Sequence, residues 1–350
     1  MITAELQPGV VQATLEPQEL DTLHKAVEDL IPRLPEMTEA ELLDITAQRG
    51  AELSYELPKF AEFLGDVASH RGAKVAVIDL PESTVKDVGP TPTHHLSPED
   101  GNNLFSADPY RDVIVGMAGW YGYGYTSQQN RALHNNIVAV KAHEETAGHS
   151  ASAKHELGLH VEDASFNLDD GKGNGRDISP DFLTLHYFRN PNNVPTLVSI
   201  PDWEELSPET KELLSEEWFS NQTNPAQGGD INNPTSPVSV LYGPHEDDPW
   251  LRLNTARLDL EAYPPEKAKA LMEMKEHLEA RRLEVAATAG QILLIDNRRV
   301  LHGRPQYRPD QAPRYDGTDR WQRRLTVAND ASRIKAHEAA YRVVHPESVL

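Results

Sequence analysis

The chain has 350 residues, 38% of them hydrophobic, no cysteine, and 55 acidic against 33 basic side chains, a formal net charge of -22. Without cysteine there can be no disulfide, zinc–thiolate centre or thiol nucleophile. So acidic a chain also argues against a nucleic-acid partner, whose phosphates need clustered Lys and Arg. No apolar run approaches the ~20 residues that span a bilayer. The start, Met1-Ile2-Thr3-Ala4-Glu5, lacks the basic-then-apolar pattern of a signal peptide, so the expectation is a cytoplasmic protein with no membrane partner.

In chain order, residues 17–31 carry Leu20, Leu23, Ala26, Val27 and Leu30 at helical spacing. Thr38-Glu39-Ala40-Glu41 reads as a capping box opening a second helix. Residues 58–70 predict a third, 74–79 a short strand, the Pro-rich stretch 90–98 a loop, and 108–121 another helix. From about residue 136 strands dominate: 136–141, 157–162, 182–188, 196–200, 238–242, 250–254, 291–296, 300–304 and 321–327. Helices at 208–219 and 264–287 interrupt them. Many short strands with helices outside predict an α+β fold built on a sandwich or a jelly roll (double-stranded β-helix). Residues 220–237, rich in Asn, Gln, Gly and Pro, have no periodicity and predict a lid loop, a plain surface insertion being the other reading.

Within residues 320–328, Trp321, Arg323, Leu325 and Val327 point one way and Arg320, Gln322, Arg324 and Thr326 the other. A strand with one polar face and one largely apolar face suits the wall of a cavity; a half-exposed strand with its arginines in water has the same pattern.

Two segments carry chemistry. His160-Val161-Glu162 puts an imidazole and a carboxylate on one face of a strand. Far downstream, Asn297-Arg298-Arg299-Val300-Leu301-His302-Gly303-Arg304 supplies a second imidazole. Two histidines and one carboxylate are the ligands that leave half of an iron(II) coordination sphere open. They also make a catalytic zinc set, but the helical H-E-x-x-H of common zinc proteases is absent.

These segments, with Gly317-Thr318-Asp319-Arg320-Trp321-Gln322-Arg323-Arg324, resemble in order and content the clavaminate synthase-like iron(II)/2-oxoglutarate oxygenases, over roughly residues 90–335. The likeness is greatest to the arginine hydroxylases of the viomycin and streptothricin pathways. The resemblance implies one oxygenase domain over 1–350, with a mainly helical N-terminal elaboration (1–90), a core (91–335) and a C-terminal tail (336–350). It implies Fe(II) held by His160, Glu162 and His302, and 2-oxoglutarate held at its far carboxylate by Arg320 and Thr196. With O2 the keto acid yields succinate and CO2 as an unactivated carbon of an amino acid is hydroxylated, in this family to furnish peptide antibiotics. Arg324 and Ser150 correspond to the contacts of the substrate α-carboxylate, and Gln129 and Glu162 to those of its amino group.

The side-chain pocket departs from the pattern. Where the arginine hydroxylases carry an aspartate for the guanidinium, 48 residues before the distal histidine, this chain has Asn254. A buried cation left without its partner costs roughly 3–5 kcal/mol, whereas Asn both donates to and accepts from a neutral group. The expected substrate is a free polar L-amino acid, citrulline-like first, with asparagine or glutamine as the other neutral candidates and arginine next, although Glu246-Asp247-Asp248 offers charge for a guanidinium. Glu162 stands where related halogenases carry a small residue, which favours hydroxylation. Desaturation or cyclisation by the same ligands, a carrier-tethered substrate, a zinc hydrolase and a metal-binding jelly roll without turnover are the other readings.

Overall fold

A computed structural model describes residues 1–96, 103–166, 177–221 and 237–346. In chain order the strands are β1 (Ile2–Gln7), β2 (Val10–Thr14), β3 (Val75–Asp79), β4 (Tyr121–Tyr125), β5 (Asn135–Val138), β6 (Leu157–His160), β7 (Phe182–Arg189), β8 (Thr196–Ser199), β9 (Leu241–Tyr242), β10 (Trp250–Leu251), β11 (Arg282–Val285), β12 (Ile292–Asp296), β13 (Leu301–Arg304), β14 (Trp321–Ala328), β15 (Glu338–Ala340) and β16 (Val343–Val344). The helices are α1 (Pro17–Lys25), α2 (Glu39–Glu56), α3 (Pro58–Ala68), α4 (Asp108–Met117), α5 (Pro208–Ser215), α6 (Pro265–Ala280) and α7 (Ala331–Lys335).

Strand β12, Ile-Leu-Leu-Ile-Asp, has no polar alternation, and the reason is that both its faces are covered. It lies between β3 and β7 in a ten-stranded sheet of order β1-β2-β3-β12-β7-β14-β4-β16-β15, with β5 also paired to β14. One face of this sheet, through Ala76, Ile78, Phe182, Ile292, Leu294, Leu325 and Val327, packs on apolar side chains of α1 to α4. The other, through Val75, Val77, Leu183, Leu185, Leu293 and Ile295, packs on Val198, Val285 and Val300 of the second layer. That layer is a four-stranded sheet, β11-β8-β13-β6. Two sheets closing over an apolar interior form the expected jelly roll, and α5 and α6 cover the smaller sheet's outside.

Several elements depart from expectation. The N-terminal region is not only helical, because β1 and β2 form a hairpin and β2 adds in parallel to β3. The 108–121 helix stops at Met117, and Tyr121–Tyr125 becomes β4 against β14. The 264–287 helix stops at Ala280, and β11 pairs with β8. The 250–254 strand shrinks to two residues plus one bridge between Asn254 and His160. The tail returns to the sheet, where β16 runs parallel to β4. In each case pairing to a distant strand outweighs a weak local pattern. Helices α2 and α4 cross so closely that a Cβ on Gly50 would lie 2.4 Å from the Met117 nitrogen. The expected lid, 220–237, lies apart from its ends outside the described residues. Among the described residues no helix is long and apolar enough to cross a membrane.

The apolar face of β14 contains Arg323, which sequence pattern alone leaves unexplained. The structure buries it completely against Asp108 of α4, the carbonyls of Asn103 and His134, and Asn136 Oδ1. Asp108, Arg111, Asp112, His134 and Glu39 extend the contact into a buried ionic network beneath the sheet. Every charge in it has an opposite partner, as burial demands.

Candidate active site

Strands β6 and β13 are antiparallel neighbours, and His160 stands directly opposite His302. Opposed residues project from the same face, and the ring centroids are 4.4 Å apart. A Cβ on Gly303 would fall 2.5 Å from the Leu157 carbonyl oxygen, so glycine permits the close approach of the two strands. Glu162 lies just past the end of β6, and its Oε2 is 3.7 Å from His160 Nε2 and 3.5 Å from His302 Nε2. All three donor atoms lie within 4.8 Å of one another.

The surroundings prepare these donors. His160 Nδ1 is 2.8 Å from the Gly158 carbonyl oxygen, which places the proton there and leaves the Nε2 lone pair on the Glu162 side. Burial, then the neighbouring His160, lowers the pKa of His302 to about 4, so that ring is neutral at physiological pH. Burial opposes ionisation of Glu162, yet the Arg324 guanidinium, with both imidazoles, holds its carboxyl well below the usual range. Next to it, burial and the Glu162 charge raise Asp163 well above the usual range.

Asn297 fixes the backbone of Glu162. Its Oδ1 accepts the Glu162 N–H at 2.6 Å, and its Nδ2 donates to the carbonyls of Glu162 (3.1 Å) and Pro180 (3.0 Å). The flanking Arg298 and Arg299 do not reach the cavity. Arg298 pairs with Asp177 and Asp181, and Arg299 with Asp296 and Asp248. Asp248 also takes Lys74 and the Trp203 indole N–H, so this acid is committed to the scaffold.

A cavity of about 350 Å³ opens on the three donors. Arg320, Gln322 and Arg324 line it, so the polar face of β14 is the cavity wall. Arg320 is only 6% exposed and has no hydrogen bond or ion pair among the described residues; its nearest described aromatic partner is the Tyr187 ring, 5.7 Å from Cζ. A buried guanidinium without an anion is costly, and the planar fork matches a carboxylate. Thr196 lines the same cavity, with Oγ1 2.6 Å from Tyr187 Oη and 3.4 Å from Gln322 Nε2. Two imidazoles with a carboxylate suit iron(II), and the unpaired Arg320 suits the far carboxylate of a dicarboxylic co-substrate.

Arg324 is already engaged: Nη1 is 2.5 Å from Glu162 Oε1, and Nη2 donates to Gln128 and Asn135 side-chain oxygens, each at 2.9 Å. Its Nε is buried without a partner. Ser150, Gln128 and Gln129 also line the cavity. The Gln129 amide, however, makes two 2.8 Å hydrogen bonds to the Asn136 backbone, and Gln128 is the residue turned to Arg324. Asn254 does not line the cavity; its Oδ1 accepts the Ala256 N–H and caps a short turn. That turn instead brings Arg257 to the wall, a residue the sequence reading missed because its place depends on the turn after β10.

Comparison with characterised proteins agrees with this geometry. The profile of the "Taurine catabolism dioxygenase TauD, TfdA family" matches residues 202–326. The enduracididine beta-hydroxylase of Streptomyces hygroscopicus is 30% identical over 63% of this chain and 68% of its own length. The L-ornithine/L-arginine 3-hydroxylase of Catenulispora acidiphila is 25% identical over 89% of this chain and 92% of its own. The crystal structure of the non-heme iron oxygenase OrfP with Fe and alpha-ketoglutaric acid superposes with a TM-score of 0.76 at 25% identity, covering 95% of this chain and 99% of that one. The paired histidines, the carboxylate beside them and this shared architecture lead to one conclusion: the chain belongs to the TauD/TfdA family, among the clavaminate synthase-like iron(II)- and 2-oxoglutarate-dependent oxygenases.

Proposed function

We propose that the protein hydroxylates an unactivated side-chain carbon of a free, polar L-amino acid whose side chain is neutral, citrulline being the representative, with cationic arginine as the alternative. The observation that carries the reaction class is the convergence of His160, Glu162 and His302 on a cavity whose wall holds the unpaired Arg320. His160, Glu162 and His302 would hold Fe(II), and Arg320 with Thr196 the far carboxylate of 2-oxoglutarate. When bound, the metal and co-substrate supply, with O2, the oxidising power for hydroxylation, leaving succinate and CO2. The protein's own contribution is position. Arg324 and Ser150 would take the substrate α-carboxylate, and Glu162 with Gln128 or Gln129 the amino group.

The cavity's charge supports a neutral side chain. Among the described lining residues the only carboxylate is Glu162, already paired with Arg324, whereas Arg257, Arg304, Arg320 and Arg324 all contribute cations. A guanidinium side chain would bring a like charge toward Arg257 on the cavity wall. Asn254 does not line the cavity, and the selectivity is assigned to Arg257, which does. We read the chain as a single cytoplasmic oxygenase domain, in keeping with sheets that draw on strands from residue 2 to residue 344.

Succinate formation dependent on Fe(II), 2-oxoglutarate and an amino acid tests the class; its absence across the common amino acids plus citrulline, ornithine and homoarginine would remove it. Faster turnover of arginine than of citrulline would defeat the neutral side chain alone. Arg257→Glu should raise arginine turnover relative to citrulline by tenfold or more.

A further inference from the structure

A second group of three imidazoles borders the same cavity. His95 and His149 line it, and His143 stacks on His149 with ring centroids 4.4 Å apart and an interplanar angle of 4°. His95 meets both edge-on, at 4.9 Å and 5.3 Å between centroids. One donor nitrogen from each lies within 4.8 Å of the other two, the limit that the iron ligands also satisfy. The rings come from separate places, His95 from the loop after β3 and the other two from the turns after β5. None has an ion-pair partner among the described residues, and His95 Nδ1 is buried with no hydrogen bond. Hydrophobic contact alone does not account for three half-buried imidazoles gathered with their nitrogens together.

We propose that His95, His143 and His149 form a second metal site at the cavity wall, one that takes a borderline divalent cation of the zinc class. Three imidazoles without a carboxylate suit Zn(II), Cu(II) or Ni(II) better than a hard cation, and they leave a fourth tetrahedral position open. Donor nitrogens about one zinc stand roughly 3.3 Å apart, so the rings must draw together. His143 must leave its stack, and His149 must release the Ala151 N–H that its Nδ1 accepts at 3.0 Å, because that lone pair then goes to the ion or, if Nε2 binds, to the ring proton. Both changes lower the affinity. Once bound, the ion ties the turns at 143–149 to the loop at 95 and stiffens the cavity wall beside Ser150.

The test is zinc stoichiometry on the metal-free full-length protein, with Co(II) absorption reporting coordination. Wild type should bind two equivalents, and His143→Ala with His149→Ala should bind one. A His160→Ala/His302→Ala protein isolates the new site: it should keep one equivalent with the visible bands of tetrahedral Co(II), and lose it when His143→Ala is added. Its thermal unfolding should shift upward with zinc only while His143 is present. A single equivalent in wild type, or none in the His160→Ala/His302→Ala protein while it remains folded, would overturn the proposal. Because that protein lacks both histidines of the proposed iron site, the outcome is independent of the hydroxylase reading.

Discussion

Replacing Asn297 with alanine isolates what holds the metal carboxylate in place. The side chain is 2% exposed and makes three hydrogen bonds, two of them to the backbone of Glu162 and one to Pro180. Alanine leaves one N–H and two carbonyls without these partners, at about 1 kcal/mol each for bonds of this kind. Global stability should therefore fall by about 3 kcal/mol. Groups that orient metal ligands typically contribute 10- to 100-fold in metal affinity. Anaerobic Fe(II) titration at saturating 2-oxoglutarate should accordingly show Kd raised by roughly 10- to 100-fold. At saturating iron, the KM for 2-oxoglutarate should change little, because Arg320 is untouched. A folded Asn297→Ala protein that binds iron within twofold of wild type would show that Glu162 is positioned by something else.

Arg320→Ala should raise the KM for 2-oxoglutarate by about 50-fold or more, a little over 2 kcal/mol for a lost charge-assisted pair, and leave the amino-acid KM nearly unchanged; a 2-oxoglutarate KM within threefold of wild type would detach Arg320 from the co-substrate. The buried His134 supplies a pH test. Burial disfavours its charge, but Asp112 outweighs that and the pKa rises to about 9. A pKa above the unfolded value stabilises the fold fully below about pH 6.5, and that contribution is lost as pH climbs through 9, to the extent of about 3 kcal/mol. The melting temperature of wild type should drop by roughly 5 °C across this window, and that of His134→Gln much less. A flat wild-type profile would mean that the ring is neutral throughout.

The candidate metal-binding triad is legible in the chain because the chemistry restricts its residue types and the β period restricts their spacing. His160 and His302 lie on neighbouring strands, as a sheet closing on itself demands. The same period sorts β14, placing Arg320, Gln322 and Arg324 on one face, and that face lines the cavity.

Tertiary structure decided the rest, wherever a residue's role depends on a partner remote in sequence or on a turn. Arg323 contradicts its apolar face until α4 brings Asp108 to it. Gln129 and Gln128 are indistinguishable as text, but positive φ at Gln129, Asn130 and Arg131 turns the chain and leaves Gln128 against Arg324. Asn254 closes a local turn while Arg257, three residues later, reaches the cavity. The strands β1, β2, β4 and β11 exist because a neighbour offers hydrogen-bonding edges, an interaction that no local window of residues contains. Local periodicity can name which side chains share a face; what that face meets is set by contacts between residues far apart along the chain.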